Sequence, residues 1–177
     1  MMGYANPIER FGYDAFAGAS SVAGVDGLIT VDLPPEEVGR LDHALIQVGI
    51  DNIFLISPTT ENERIETIVA RARGFIYYVA VKGVTGSGQI DVNEVAQRVG
   101  VIRGMTDLPV AVGFGIKDAD SASHVAQVAD AVVVGSALID EMVRKSRADA
   151  SLEEIQIHEA AVQLLKRIRS GVDSSPS

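Results

Sequence analysis

Six short apolar runs recur along the chain at roughly the length of one βα unit, and this repeat restricts the fold more than any other feature. They are MMGYA (1–5), GLITVD (27–32), NIFLIS (52–57), FIYYVAV (75–81), LPVAVGF (108–114) and AVVVGSA (131–137). Each is close to uniformly apolar, as a strand buried on both faces should be. Amphipathic segments fill the intervals. Val38, Leu41, Leu45 and Val48 form one helical stripe, and Ile65, Ile68, Val69 and Ala72 another. Repeated right-handed βα units build either an open doubly wound sheet or a (β/α) barrel.

Local signals frame these helices. Pro34 and Pro35 precede Glu36 and Glu37, which suits a first helical turn. Thr60 with Glu63, and Ser151 with Glu154, have capping-box spacing. Gly49 and Gly74 are placed to close their helices. A long helix is expected over 151–169, with Leu152, Ile155, Val162, Leu165 and Ile168 facing inward. With 177 residues, of which 47% are hydrophobic, the chain can fill one core. The expected organisation is one domain over 1–170 and a disordered polar tail over 171–177.

Charge and composition exclude several functions. A net charge of −9 offers no positive field for nucleic acid or an anionic membrane surface. Lys145, Arg147, Lys166, Arg167 and Arg169 are interspersed with acids and read as a solvated helix face. The absence of cysteine rules out disulfides and thiolate metal sites. His43, His124 and His158 each lie in a helix-like segment without a second ligand at metal spacing, so no metal is expected. The first residues lack the basic and apolar blocks of a signal peptide, and no run is long enough to span a bilayer. The expected location is the cytoplasm.

The chemistry concentrates at the ends of the apolar runs. Gly113 and Gly115 end one strand, and Gly135 with Ser136 ends the next. In βα folds ligands gather at the carboxyl ends of strands, and barrels commonly bind phosphate after their last two. Glycine admits a ligand close to the backbone, and the helix that follows adds its positive end. Tight βα turns alone would also use glycine; its occurrence on two consecutive units favours a phosphate site. A third glycine-rich stretch, VKGVTGSGQI, reads as a lid loop or a simple connector.

The ordered motifs MMGYANPI, VDLPPEE, IFLISPTT, YYVAVKGVTG, LPVAVGFGI and VVVGSAL closely resemble the α subunit of tryptophan synthase. That family is a (β/α)₈ barrel that cleaves indole-3-glycerol phosphate to indole and glyceraldehyde 3-phosphate. Indole then passes to a pyridoxal-phosphate-dependent β subunit. The resemblance implies an α/β fold, a partial (β/α)₈ TIM barrel of six parallel βα units plus a C-terminal helix. It implies phosphate on the amides of Gly86, Gly115, Gly135 and Ser136. Met2, Tyr4, Ile29, Val31, Leu55, Tyr77, Phe114 and Val133 would line the indole and glycerol pocket, with Thr85 in the lid. Asn6 and the Asp32–Pro34 turn would face the β subunit in an α₂β₂ assembly. No cofactor is expected in this chain; pyridoxal phosphate belongs to the partner. Read without the resemblance, the apolar residues are simply barrel core.

The family's catalytic glutamate and aspartate lie on its second βα unit, and this chain begins at what resembles the third strand. Neither carboxylate has a counterpart here, so the chain alone is expected to be inactive. Asp32 is the best-placed substitute, but the resemblance puts it in the interface turn. Glu36, Glu37 and Asp91 read as helix starts. The chain could be a fragment of a longer product, the partner of a separately made N-terminal piece, or a reduced relative that self-associates. A non-catalytic phosphate-binding regulator of the β subunit is the alternative function, and another sugar-phosphate barrel enzyme a third.

Overall fold

Strand register determines which residues of this chain are covered and which are open. The computed structural model describes residues 1–80, 92–113, 115–149 and 153–174. Six parallel strands follow in sequence order: β1 (Met2–Gly3), β2 (Gly27–Thr30), β3 (Asp51–Ile56), β4 (Ile76–Val79), β5 (Val110–Gly113) and β6 (Ala131–Val133). Among the described residues eight helices are interspersed: α1 (Ala5–Phe11), α2 (Tyr13–Val22), α3 (Gly39–Gln47), α4 (Asn62–Val69), α5 (Val92–Arg103), α6 (Ala119–Ala126), α7 (Ser136–Ala148) and α8 (Glu154–Asp173). The chain divides into two units: Met1–Tyr78 with Ile102–Val110, and Val79–Val101 with Ala111–Ser177.

In the first unit Met2 pairs with Ile29, Ile29 with Ile53, and Leu55 with Tyr77. Paired residues of parallel strands share a face, so Met2, Ile29, Val31, Ile53, Leu55 and Tyr77 form one row. The other row holds Leu28, Thr30, Asn52, Phe54, Ile56, Ile76 and Tyr78, all buried. Helices α3 and α4 pack on β3 and bury Leu41, Ala44, Leu45, Ile65 and Ile68. Fully burying a leucine or isoleucine side chain stabilises by about 1.5–3 kcal/mol. Asn52, only 1% exposed, donates to Asp42 Oδ1 at 3.2 Å, and Arg73 reaches the same oxygen at 2.9 Å.

The first row is apolar yet largely open, which corrects the expectation of strands buried on both faces. Met2 and Val31 are exposed, and Ile29, Leu55 and Tyr77 are half-buried. Ile53 is the exception: it lies over Gly27, where an added Cβ would sit 2.7 Å from its Cδ1. In the second unit Ala111–Gly113 of β5 are buried, whereas β6 is exposed or half-exposed throughout.

Several local expectations also change. Residues 35–38 form turns, so α3 starts at Gly39 rather than Glu36. Gly49 adopts φ 73° just past α3 as expected. Gly74 also has positive φ but lies beyond the end of α4, against the Asp51 side chain. Thr60 does not cap α4; its hydroxyl accepts the Ser57 N–H at 3.0 Å. Helix α8 is capped by Glu153 with Gln156, and it buries Ala160, Leu164 and Ile168. Ile155, Val162 and Leu165 are exposed, while Leu152 and Ser151 lie outside the described residues. Gly171 and Val172, assigned to the tail, are helical.

Candidate functional site

The residues assigned to the site from the sequence belong to both units, and each group is described within its own. In the first unit the open row of Met2, Ile29, Val31, Leu55 and Tyr77 carries the apolar residues assigned to the indole pocket. Tyr4, next along from β1, is 62% exposed. Burial holds the Tyr77 phenol above its ordinary pKa, so it stays a neutral hydrogen-bonding group on this apolar face.

In the second unit Gly115 follows β5 with φ 74°, a conformation that favours glycine, and it is exposed. Val133 ends β6, half-buried; Gly135 is the N-cap of α7 and Ser136 its first residue. The start of α7 has no side-chain cap and no acidic residue in its first turn, and Lys145 and Arg147 stand in its last. Its first amides lack intrahelical partners and carry the positive end of the helix dipole. The contrast with α6 is informative. There the Asp118 carboxylate accepts the Ser121 N–H at 2.8 Å, so a negative group already occupies that end. Ser121 also holds the Asp118 carboxyl below its ordinary pKa by donating its hydroxyl and amide. Gly86, Thr85 and Phe114 lie outside the described residues, as does Asp91.

The turn assigned to a partner surface lies in the first unit. Asp32 is exposed and accepts the Ala5 N–H at 2.7 Å, which ties the residue after Tyr4 to the loop after β2. Asn6 is exposed on α1 and Pro34 is half-buried. Glu36 is not a helix start: Arg64 grips it through its two terminal guanidinium nitrogens at 2.8 and 3.2 Å and holds its carboxyl below the ordinary range. Sequence reasoning missed this pair, although the 28-residue separation is one βα unit. It also missed Thr30, a polar residue in the middle of the GLITVD run. The Thr30 hydroxyl is buried without a hydrogen-bond partner beside a cavity of about 300 Å³ that Asp32, Pro34, Thr60 and Arg64 help to line.

The three histidines are exposed helix residues, and His158 Nε2 lies 3.8 Å from Glu154. Among the described residues, no three His, Cys, Asp or Glu side chains group at a metal-holding distance, and no helix is long and apolar enough to cross a membrane. Asp51, at the amino end of β3, is the carboxylate that shares the open row's face, and it lies 3.8 Å from the Arg73 guanidinium; Asp32, at the row's other margin, is committed to the Ala5 amide.

Comparison with known proteins gives this geometry its context. The family model for the tryptophan synthase alpha chain matches residues 1–169. The alpha chain of Thioalkalivibrio sulfidiphilus is 57% identical over 142 residues, covering 80% of this chain and 53% of the relative. That of Nitrosococcus oceani is 48% identical over 176 residues, covering 99% and 63%. Among solved structures, an alpha chain from Legionella pneumophila matches with TM-score 0.82 and 39% identity, over 99% of this chain and 63% of that one. A Mycobacterium tuberculosis tryptophan synthase in its aminoacrylate-bound form matches with TM-score 0.80 and 32% identity, over 97% and 60%. The six βα units are thus part of a (β/α)₈ barrel fold, and the chain spans between about half and two thirds of the length of these relatives. This chain belongs to the tryptophan synthase alpha-chain family.

Proposed function

We propose that this chain carries the phosphate- and indole-binding part of a lyase that cleaves indole-3-glycerol phosphate. The observation that carries the reading is the family match over residues 1–169. In the cleavage, the bond between indole C3 and the adjacent glycerol carbon breaks. Its electron pair stays on indole C3, which takes up a proton. The hydroxyl on the glycerol carbon loses its proton as that carbon becomes the aldehyde of glyceraldehyde 3-phosphate. Both transfers need positioned acid–base groups.

The residues here suit binding rather than those transfers. The amides at Gly115, Gly135 and Ser136, with Gly86, would hold the phosphate. Met2, Tyr4, Ile29, Val31, Leu55, Tyr77, Phe114 and Val133 would supply the apolar walls, and Thr85 the lid. The proton-transferring carboxylates would come from βα units outside this chain, which alone is inactive in this reading. Asn6 and the Asp32–Pro34 turn would meet a β subunit that holds pyridoxal phosphate, in an α₂β₂ assembly in the cytoplasm. The similar proteins are alpha chains of the synthase, which does not favour the regulator alternative.

The test is indole release from indole-3-glycerol phosphate by the folded chain with β subunit present. No release, together with saturable binding of glycerol 3-phosphate, is the expected result. Turnover that disappears in Asp32→Asn would overturn the assignment of the chemistry to other βα units.

A further inference from the structure

We propose that the cavity under the Asp32–Pro35 turn binds a small uncharged amphipathic molecule whose polar group pairs with the Thr30 hydroxyl. The cavity measures about 300 Å³ and opens between the carboxyl ends of β2 and β3 and helix α4. It lies within the first unit. Thr30 and Phe54 reach it from the covered row of the sheet, not from the open one.

Its lining is part apolar and part polar. Leu33, Pro35, Phe54 and Ile68 form an apolar wall, the last three of them buried. Thr30 and Arg64 supply polar groups. Thr30 is only 7% exposed, and its hydroxyl has no hydrogen-bond partner among the described residues. A buried hydroxyl is normally paired, and it can both donate and accept. An occupant of the cavity would be the missing partner.

Size and charge narrow the class. A cavity of about 150 Å³ already holds a benzene ring, so this one admits a ring with a short polar arm. Arg64 is no trap for anions, because Glu36 takes an N–H from each of its terminal nitrogens at 2.8 and 3.2 Å. Asp32 also lines the cavity and leaves one negative charge in excess, so an anionic head would be repelled. Water alone would satisfy Thr30 but leave the apolar wall wet; an amphipathic molecule serves both. The side chains of Arg64 and Glu36 are 47% and 51% exposed, so this pair is weakly held and can part to admit a ligand.

The probes are benzyl alcohol, toluene and benzoate, titrated into the 177-residue chain and read from the backbone amide signals of Leu33, Phe54 and Thr60. Benzyl alcohol should saturate with a Kd on the order of 1 mM. Thr30→Val should shift the preference from benzyl alcohol towards toluene by about fivefold or more, the worth of one hydrogen bond. A variant that merely disturbed the fold would weaken both probes alike. Glu36→Gln, at an exposed position, frees Arg64 and should raise benzoate affinity by about threefold, with toluene unchanged. Shifts that do not saturate, or a preference unchanged in Thr30→Val, would overturn the proposal and leave the cavity to water. Benzoate binding the unsubstituted chain more tightly than benzyl alcohol would overturn the ligand class. None of these readouts uses lyase activity, so the site stands or falls independently of the proposed function.

Discussion

The Asp32 carboxylate accepts the Ala5 backbone N–H at 2.7 Å, across 27 residues of sequence. Helix α1 has no side-chain cap of its own at Tyr4. The loop after β2 therefore supplies the missing acceptor, and it fixes Tyr4 and Asn6 on either side. Asp32→Ala should cost about 1 kcal/mol in denaturant unfolding, and Asp32→Asn less because its amide oxygen can still accept. In a reconstituted lyase, both variants should change substrate affinity or β-subunit response before the rate of bond cleavage. A loss confined to the cleavage step would show Asp32 to be a reacting group instead.

Strand positions were legible because each apolar run covers all or most of its strand, as NIFLIS covers all of β3 but Asp51. The open row was not, since Ile29 and Val31 are as apolar as buried Leu28. Nothing local distinguishes a face covered by the chain's own helices from one left open. Helices α1 and α2 carry none of the stripes or caps by which the other helices were recognised in the sequence. Pro7 falls in a first turn that tolerates it, and Gly12, at φ 89°, makes the joint between the two. The inward face of α8 was misjudged because bulk suggested Ile155, Val162 and Leu165. At the candidate site the glycines at 115 and 135 were readable from pattern. The Arg64–Glu36 and Asp32–Ala5 links depend on distances between consecutive units and were not.

Helix α8 approaches α6 closely at Gly171. A Cβ on Gly171 would collide with the carbonyl of Ala119 at the start of α6. Alanine is normally the better helix former by up to about 1 kcal/mol, so Gly171→Ala would stabilise an isolated α8. Here the obstacle is backbone rather than a flexible side chain, and overpacking costs about 1–3 kcal/mol. The net effect should be a lower melting temperature, with earlier hydrogen exchange in α6 and α8. A rise in melting temperature would mean that the two helices separate freely.

Thr30 offers the opposite case. Its hydroxyl is buried with no partner, so it contributes a desolvation penalty and no bond. Thr30→Val keeps the shape and should raise stability by about 1 kcal/mol. Thr30→Ser keeps the orphan hydroxyl, loses a methyl group, and should be destabilised. Equilibrium unfolding separates the two. Destabilisation by valine would show that water in the adjoining cavity satisfies the hydroxyl.

Asp118 links stability to pH. Its folded pKa is depressed by the Ser121 hydrogen bonds, so the folded state favours the carboxylate. The contribution is present above the unfolded value near 3.9 and is lost as pH falls through the lower folded value. Asp118→Asn removes the charge and keeps an acceptor. Wild type should be the more stable at pH 7, with the gap closing below about pH 4. A gap unchanged at pH 3 would assign the effect to geometry and not to charge.

Placing a carboxylate at the start of α7 separates what the helix prefers from what the site requires. The first turn of α7 lacks an acid and a side-chain cap, although such groups favour a helix start. Ser136→Asp should therefore stabilise the fold by about 0.3–1 kcal/mol. If the same amides hold the substrate phosphate, the new charge would occupy and repel that position. Glycerol 3-phosphate affinity should then fall by about tenfold or more, since like charges at this distance cost over about 1 kcal/mol. Opposite signs in the two measurements are hard to obtain from a misfolded variant, which would lose both. A stabilised chain that binds the phosphate as tightly as before would remove α7 from the site and leave the glycines at 115 and 135 as turn residues only.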